Sequence, residues 1–226
     1  LLCTLHRLRE RKGFMAIGAL LLFAPWIIGL ALKGHAWTVP SGEPLKVAAI
    51  QGNIEQELKW DPEQLNRQLA LYRDMSFSSR PVDLIVWPET AVPVLKEQAQ
   101  GYLDMMGSFA TDRHSALITG VPDMLRGLIA FFDLPMSDFA RGPEDQAMLQ
   151  AKGYHLAPMI CYEVVYPELA ASLAAKSDIL LTISNDTWFG KSIGPIQHLQ
   201  MAQMRALEAG RWMIRATNNG VTGLID

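Results

Sequence analysis

The sequence predicts a layered α/β domain carried behind one apolar helix. Three observations carry this reading: a charge-free run of twenty residues near the N-terminus, short apolar runs alternating with helix-period segments after it, and polar clusters where several of those runs end. The chain has 226 residues, enough for one sizeable core plus a short appendage. Hydrophobic residues make up 50%, mean hydropathy is +0.11 and the net charge is −3. That balance, with no basic run interleaved with aromatics, speaks against a nucleic-acid partner. Cys3 and Cys161 are too few for a disulfide framework and flank the apolar run, so no bridge between them is expected.

Residues 13–32 read GFMAIGALLLFAPWIIGLAL. At ~1.5 Å per residue they span ~30 Å, the thickness of a bilayer's hydrocarbon core. Pro25 is tolerable in such a span. Arg7, Arg9, Arg11 and Lys12 precede it, which places residues 1–12 in the cytoplasm and the remainder outside. A cleaved signal peptide and a buried globular helix are the other readings of this run.

Residues 39–44 (VPSGEP) form a Pro/Gly linker, so residues 33–44 join the span to a domain over 45–226. The runs 45–51, 83–87, 116–121, 154–162 and 178–184 are expected strands. Asp61-Pro62 opens a helix, with Asp61 as N-cap and Gln64 completing a capping box. Leu65, Leu69, Tyr72 and Met75 fall on one face of it. Residues 95–113, 167–176 and 195–209 are further helices. In the last, Leu199, Met201, Met204 and Leu207 read as a core-facing stripe. Residues 212–217 and 221–225 flank Asn218-Asn219-Gly220, a tight-turn signal.

Three polar clusters sit at strand ends: Pro88-Glu89-Thr90, Cys161-Tyr162-Glu163 and Asn185-Asp186-Thr187. Sites in α/β folds gather there, so the clusters are candidates to converge. Glu89 follows LIVWP, and partial burial would raise its pKa toward the range of a general base. A cap at the strand end is its other reading. Cys161 stands where an apolar strand meets a polar turn and is the candidate nucleophile, with Glu89 to take its proton. The backbone N–H of Tyr162 is placed to help hold an oxyanion. Glu163 positions the site, or is a solvated acid. Asn185, Trp188 and Phe189 line a pocket rim, or belong to a structured loop. His198 lies in a Gln/Met-rich helix with no carboxylate near it in sequence, which speaks against a cysteine-protease pairing. No His/Cys spacing suits a metal.

DLIVWPETAVP (83–93), FFDLPMSDFARG (131–142), APMICYE (157–163), LLTISNDTWFGKSIGPIQHLQMAQMRALE (180–208) and RATNNGVTGLID (215–226) together resemble the apolipoprotein N-acyltransferases of bacterial inner membranes. The resemblance runs from about residue 45 to the end. It implies a nitrilase-type α-β-β-α sandwich on the periplasmic side, behind a transmembrane helix. It implies acyl transfer from a phospholipid, through a Cys thioester, to the α-amine of a diacylglyceryl cysteine on an apolipoprotein. No cofactor is implied. Glu89 and Cys161 match the Glu and Cys of the family's Glu-Lys-Cys triad, and Tyr162 and Glu163 match neighbours the family also uses.

One departure is serious. Only Lys96 and Lys152 lie between Glu89 and Cys161, and neither has the surroundings of the family's Lys. The expectation is an internal loss near Asp123–Met124, an incomplete sandwich truncated at its C-terminus, and little or no turnover. The competing functional readings are a nitrilase-class amidase acting on a soluble amide, and a non-catalytic remnant.

Overall fold

The computed structural model describes residues 2–122 and 148–226. The FFDLPMSDFARG run and the junction at Asp123–Met124 lie outside the described residues. The chain divides into two compact units, Leu1–Gly42 and Glu43–Asp226.

The first unit is one helix, α1 (Leu2–Leu32), which continues through Pro25. Its segment Arg11–Leu32 has a mean hydropathy of 2.3 and is long and apolar enough to cross a membrane. Leu21, Trp26 and Leu30 are exposed along it.

The second unit has four layers. Strands β1 (Val47–Ala49), β2 (Leu84–Val86) and β3 (Ala116–Ile118) form a parallel sheet in that order. The crossovers are α3 (Leu65–Ser78) and α4 (Lys96–Asp112). A one-turn helix, α2 (Gln56–Lys59), precedes α3. Tyr72, Ala99 and Met106 from the helices bury Ile85 and Trp87 from one face of this sheet. The Asp61 side chain accepts the Glu63 N–H, but it caps a 3-10 turn (Pro62–Gln64) rather than α3 itself.

The second sheet runs β4 (Leu149–Ala151), β5 (Tyr154–Ile160), β6 (Ile179–Ser184), β7 (Met213–Thr217) and β8 (Gly223–Ile225). Its centre is parallel and both outer pairings are antiparallel. Strand β4 was not legible in sequence. It joins β5 through Lys152 (φ 51°) and Gly153 (φ 84°), the two-residue hairpin whose twist matches the strands. Pro158 is tolerated inside β5 because β4 pairs only as far as Leu156, so no ladder bond is lost there.

The two sheets face each other through Leu84, Val86, Leu156, Leu181, Ile183 and Ile214. Helices α5 (Pro167–Ala174) and α6 (Gly194–Ala209) cover the outer face of the second sheet. The order is therefore α-β-β-α, the nitrilase-type sandwich.

Two expectations are corrected. The Met stripe of α6 does not face the core: Met201, Met204 and Leu207 are exposed, and His198, Ala202 and Ala206 are the buried residues. Small side chains let the helix backbone approach α5 and the sheet closely, and bulk is excluded from that side. Asn218, read as a turn residue, is fully buried. Its amide donates to Ile54 O (2.7 Å), Asn185 Oδ1 (3.0 Å) and Thr187 Oγ1 (3.0 Å), tying the ends of β6 and β7 to the loop before α2.

Candidate active site

Glu89 leaves the end of β2 and Cys161 the end of β5, and the facing sheets bring the two side chains close enough for each to shift the protonation of the other. The backbone N–H of Asn185, at the end of β6, donates to Glu89 Oε2 at 3.0 Å.

Both backbones are unusual. Cys161 has φ 50° and the residue after Glu89, Thr90, has φ 51°. For a β-branched threonine this is a true outlier, and strain of this kind costs ~1–3 kcal/mol per residue. Gly120, just past β3, makes room for the Glu89 turn. A Cβ there would lie 2.9 Å from Thr90 N and 3.0 Å from Glu89 Cα. The sharp turn at Cys161 is held from both sides. Glu163 Oε2 accepts the Ile160 N–H at 2.7 Å, closing a 3-10 turn over Cys161–Val165. His198 Nε2 donates to the Cys161 carbonyl at 3.1 Å.

His198 is thus turned to the backbone of Cys161 and acts on its carbonyl. Behind it, Asp186 Oδ1 lies 2.8 Å from His198 Nδ1, and Asp186 Oδ2 accepts from Arg215 Nη2 at 2.7 Å. All three are buried. The sequence showed no such partners near His198 because Asp186 follows β6 twelve residues earlier and Arg215 lies within β7.

Electrostatics follow from burial. Desolvation, then Glu89, pushes the Cys161 thiol up to about 12. Desolvation also raises the Glu89 carboxyl above its ordinary value, opposed first by the Cys161 hydrogen bond and then by Lys59. Glu89 disfavours the thiolate whereas Cys161 favours the carboxylate, so the proton rests on sulfur until a reaction draws it away.

Lys59 was missed by the sequence reading. It ends α2, is 2% exposed, and its Nζ donates to the Glu89 carbonyl at 3.0 Å. Burial lowers it to about 8, against the pull of Glu89 and Cys161. In sequence it is one Lys among polar residues in QELKWDP, with no periodicity to mark it.

The other predicted positions divide. Tyr162 follows the nucleophile candidate and is exposed, as is Glu163. Trp188 is 50% exposed. Phe189 packs edge-on against His198, with ring centroids 5.8 Å apart. The Asn185 side chain does not line a rim. It is buried, donates to Gln56 Oε1 at 2.9 Å and accepts from Thr187 and Asn218. Among the described residues no cluster of three or more His, Cys, Asp or Glu could hold a metal ion.

A thiol on a strained strand-end turn against a buried carboxylate, between two facing sheets with helices outside, defines a class: the chain belongs to the carbon-nitrogen hydrolase family. The family profile, carbon-nitrogen hydrolase, matches residues 102–225. Within that family the chain is similar to proteins named apolipoprotein N-acyltransferase. It is 68% identical to the one from Pseudomonas putida, over 100% of this chain and 53% of that protein. It is 40% identical to the one from Shewanella oneidensis, over 83% of this chain and 46% of that protein. The chain therefore spans about half the length of these curated relatives. Among solved structures, a mutant of the Nesterenkonia amidase from the nitrilase superfamily aligns with a TM-score of 0.54 and 20% identity, over 83% of this chain and 81% of that one.

Proposed function

We propose that this chain is part of an apolipoprotein N-acyltransferase in which Cys161 carries the acyl group and Glu89 moves the protons. The observation that carries the reading is the electrostatic coupling of the Glu89 carboxylate to the Cys161 thiol at two facing strand ends, with the carboxylate held by the Asn185 N–H. Glu89 takes the thiol proton as sulfur attacks the ester carbonyl of a phospholipid. The C–O bond breaks, Glu89 returns the proton to the leaving alkoxide, and a lysophospholipid departs. The α-amine of a diacylglyceryl cysteine then attacks the thioester. The C–S bond breaks, a C–N bond forms, and the amine's proton passes by way of Glu89 to the sulfur. The Tyr162 backbone N–H faces the developing oxyanion. The similarity to named acyltransferases supports this donor and acceptor, α1 supports placement in the inner membrane, and the basic residues before its apolar run support residues 43–226 on the periplasmic side.

Turnover by these 226 residues is proposed to be impaired. The alignment with the Pseudomonas putida relative has 266 positions against 226 residues here, a difference of 40. That supports a loss within the chain, and the reading puts it near Asp123–Met124, with the Lys-bearing segment. Removal of one oxyanion-stabilising donor typically costs ~10²–10³ in rate. The test is to supply phospholipid and a lipopeptide amine and to measure N-acyl product together with hydroxylamine-labile acyl on Cys161. The reading expects slow thioester formation and little product. Robust product refutes the impairment, and acyl adduct that persists in Cys161→Ala removes Cys161 from the mechanism.

A further inference from the structure

We propose that Lys59 is the cation of this thiol site, its ammonium charge favouring the Cys161 thiolate and opposing negative charge that builds on the reacting acyl oxygen. The inference rests on Cys161 being the nucleophile, but its test reads the thiol itself and needs no acyl transfer.

The argument begins with the charges that face Cys161. Glu89 from the end of β2 and Asp186 after β6 both disfavour the thiolate. Glu163, on the turn that follows Cys161, spends an oxygen on the Ile160 N–H. His198 from α6 donates to the Cys161 carbonyl, away from the sulfur. Arg215 on β7 interacts with Cys161, but its guanidinium is paired with Asp186 at 2.7 Å. Lys59 interacts with both Glu89 and Cys161. It is therefore the one of these cations whose charge the site's own thiol and carboxylate answer.

The placement of Lys59 is built. Gln68 of α3 is buried and its amide donates to Leu58 O at 2.7 Å, with Lys59 O at 3.4 Å. This clamps the last turn of α2, from which Lys59 Nζ reaches the Glu89 carbonyl. The other end of the segment is held by Asn218, which accepts from Ile54 N at 3.1 Å and donates to Ile54 O. A buried ammonium carries a large desolvation cost. Anchoring it on the Glu89 carbonyl, within electrostatic reach of the Glu89 carboxylate and the Cys161 thiol, gives that charge a use which a surface lysine, free to stay in water, would not need.

The full chain in detergent micelles is alkylated with iodoacetamide, and the rate at Cys161 is followed from pH 6 to pH 10 in wild type, Lys59→Gln and Lys59→Met. Gln retains a donor for the Glu89 carbonyl without the charge. The expected result is a profile displaced upward by about one pH unit in both variants, a roughly tenfold slower reaction near neutrality. The gap narrows above about pH 8, where wild-type Lys59 gives up its own proton. Should the Met variant fail to fold, judged by its unfolding transition, the Gln variant carries the test alone. Superimposable wild-type and Gln profiles overturn the proposal and leave Lys59 a structural donor. A uniform slowing of Gln with no change in the shape of the profile overturns it equally. Normal acyl transfer or its absence bears on the proposed function only.

Discussion

Glu89 is a residue whose native environment opposes its own charge. Its carboxyl pKa is raised in the fold, chiefly by desolvation. Below the ordinary glutamate range the group is protonated in both folded and unfolded chains, and stability is unaffected. As pH rises through the raised native value, the folded state must carry a buried anion and loses stability. Glu89→Gln is therefore expected to melt higher than wild type at pH 7–8, with the difference vanishing near pH 4, in thermal scans across that range. The same substitution is expected to slow acylation of Cys161 by ~10²–10⁴, the usual worth of a positioned general base. An unchanged acylation rate would remove Glu89 from the mechanism. The strained turn beside it gives a second residue-scale expectation. Gly120→Ala pushes a Cβ against Thr90 N and Glu89 Cα. It is expected to cost ~1–3 kcal/mol of stability, as overpacking does, and to slow acylation of Cys161, which would report displacement of Glu89.

At the scale of elements, α6 shows how packing overrides pattern. Its apolar stripe suggested a Met-lined inner face, yet the helix turns Ala202 and Ala206 inward and leaves Met204 and Leu207 in the open. The reason lies on the same face: His198 must reach the Cys161 carbonyl and Asp186. That geometry fixes the helix's rotation, and only small residues fit on the turns above it. Ala206→Leu is therefore expected to destabilise the domain by ~1–3 kcal/mol, whereas Met204→Ala should stay within ~0.5 kcal/mol of wild type. Urea unfolding of the two variants checks this directly, and the opposite ranking would restore the stripe to the core.

For the whole molecule, the exposed apolar surface of α1 needs a lipid environment or a partner. The basic residues at 7–12 are proposed to orient such a span with the cytoplasm on that side. The chain is expected to resist alkaline carbonate extraction, and protease added to spheroplasts should digest residues 43–226 while a tag at residue 1 survives. Loss of the tag instead would reverse the orientation.

Much of the second unit was legible in sequence because it depends on local physics. Apolar runs such as DILLTIS and DLIVW can only be strands of a two-sided core, and the polar residues that end them fall at one edge of parallel sheets. Glu89 and Cys161 could be named for that reason. Their contact, and the arrival of Lys59 beside them, could not. Neither Lys59 in its one-turn helix nor the Asp186–His198–Arg215 network has any periodicity. Each is defined by long-range closure: Lys59 lies thirty residues from Glu89, and Arg215 twenty-nine from Asp186. Sequence alone determined which residues had chemistry to offer and which runs would be buried, since composition and period set burial. Only the tertiary structure decided which charges share one desolvated space, because that depends on how two sheets and four strand ends meet.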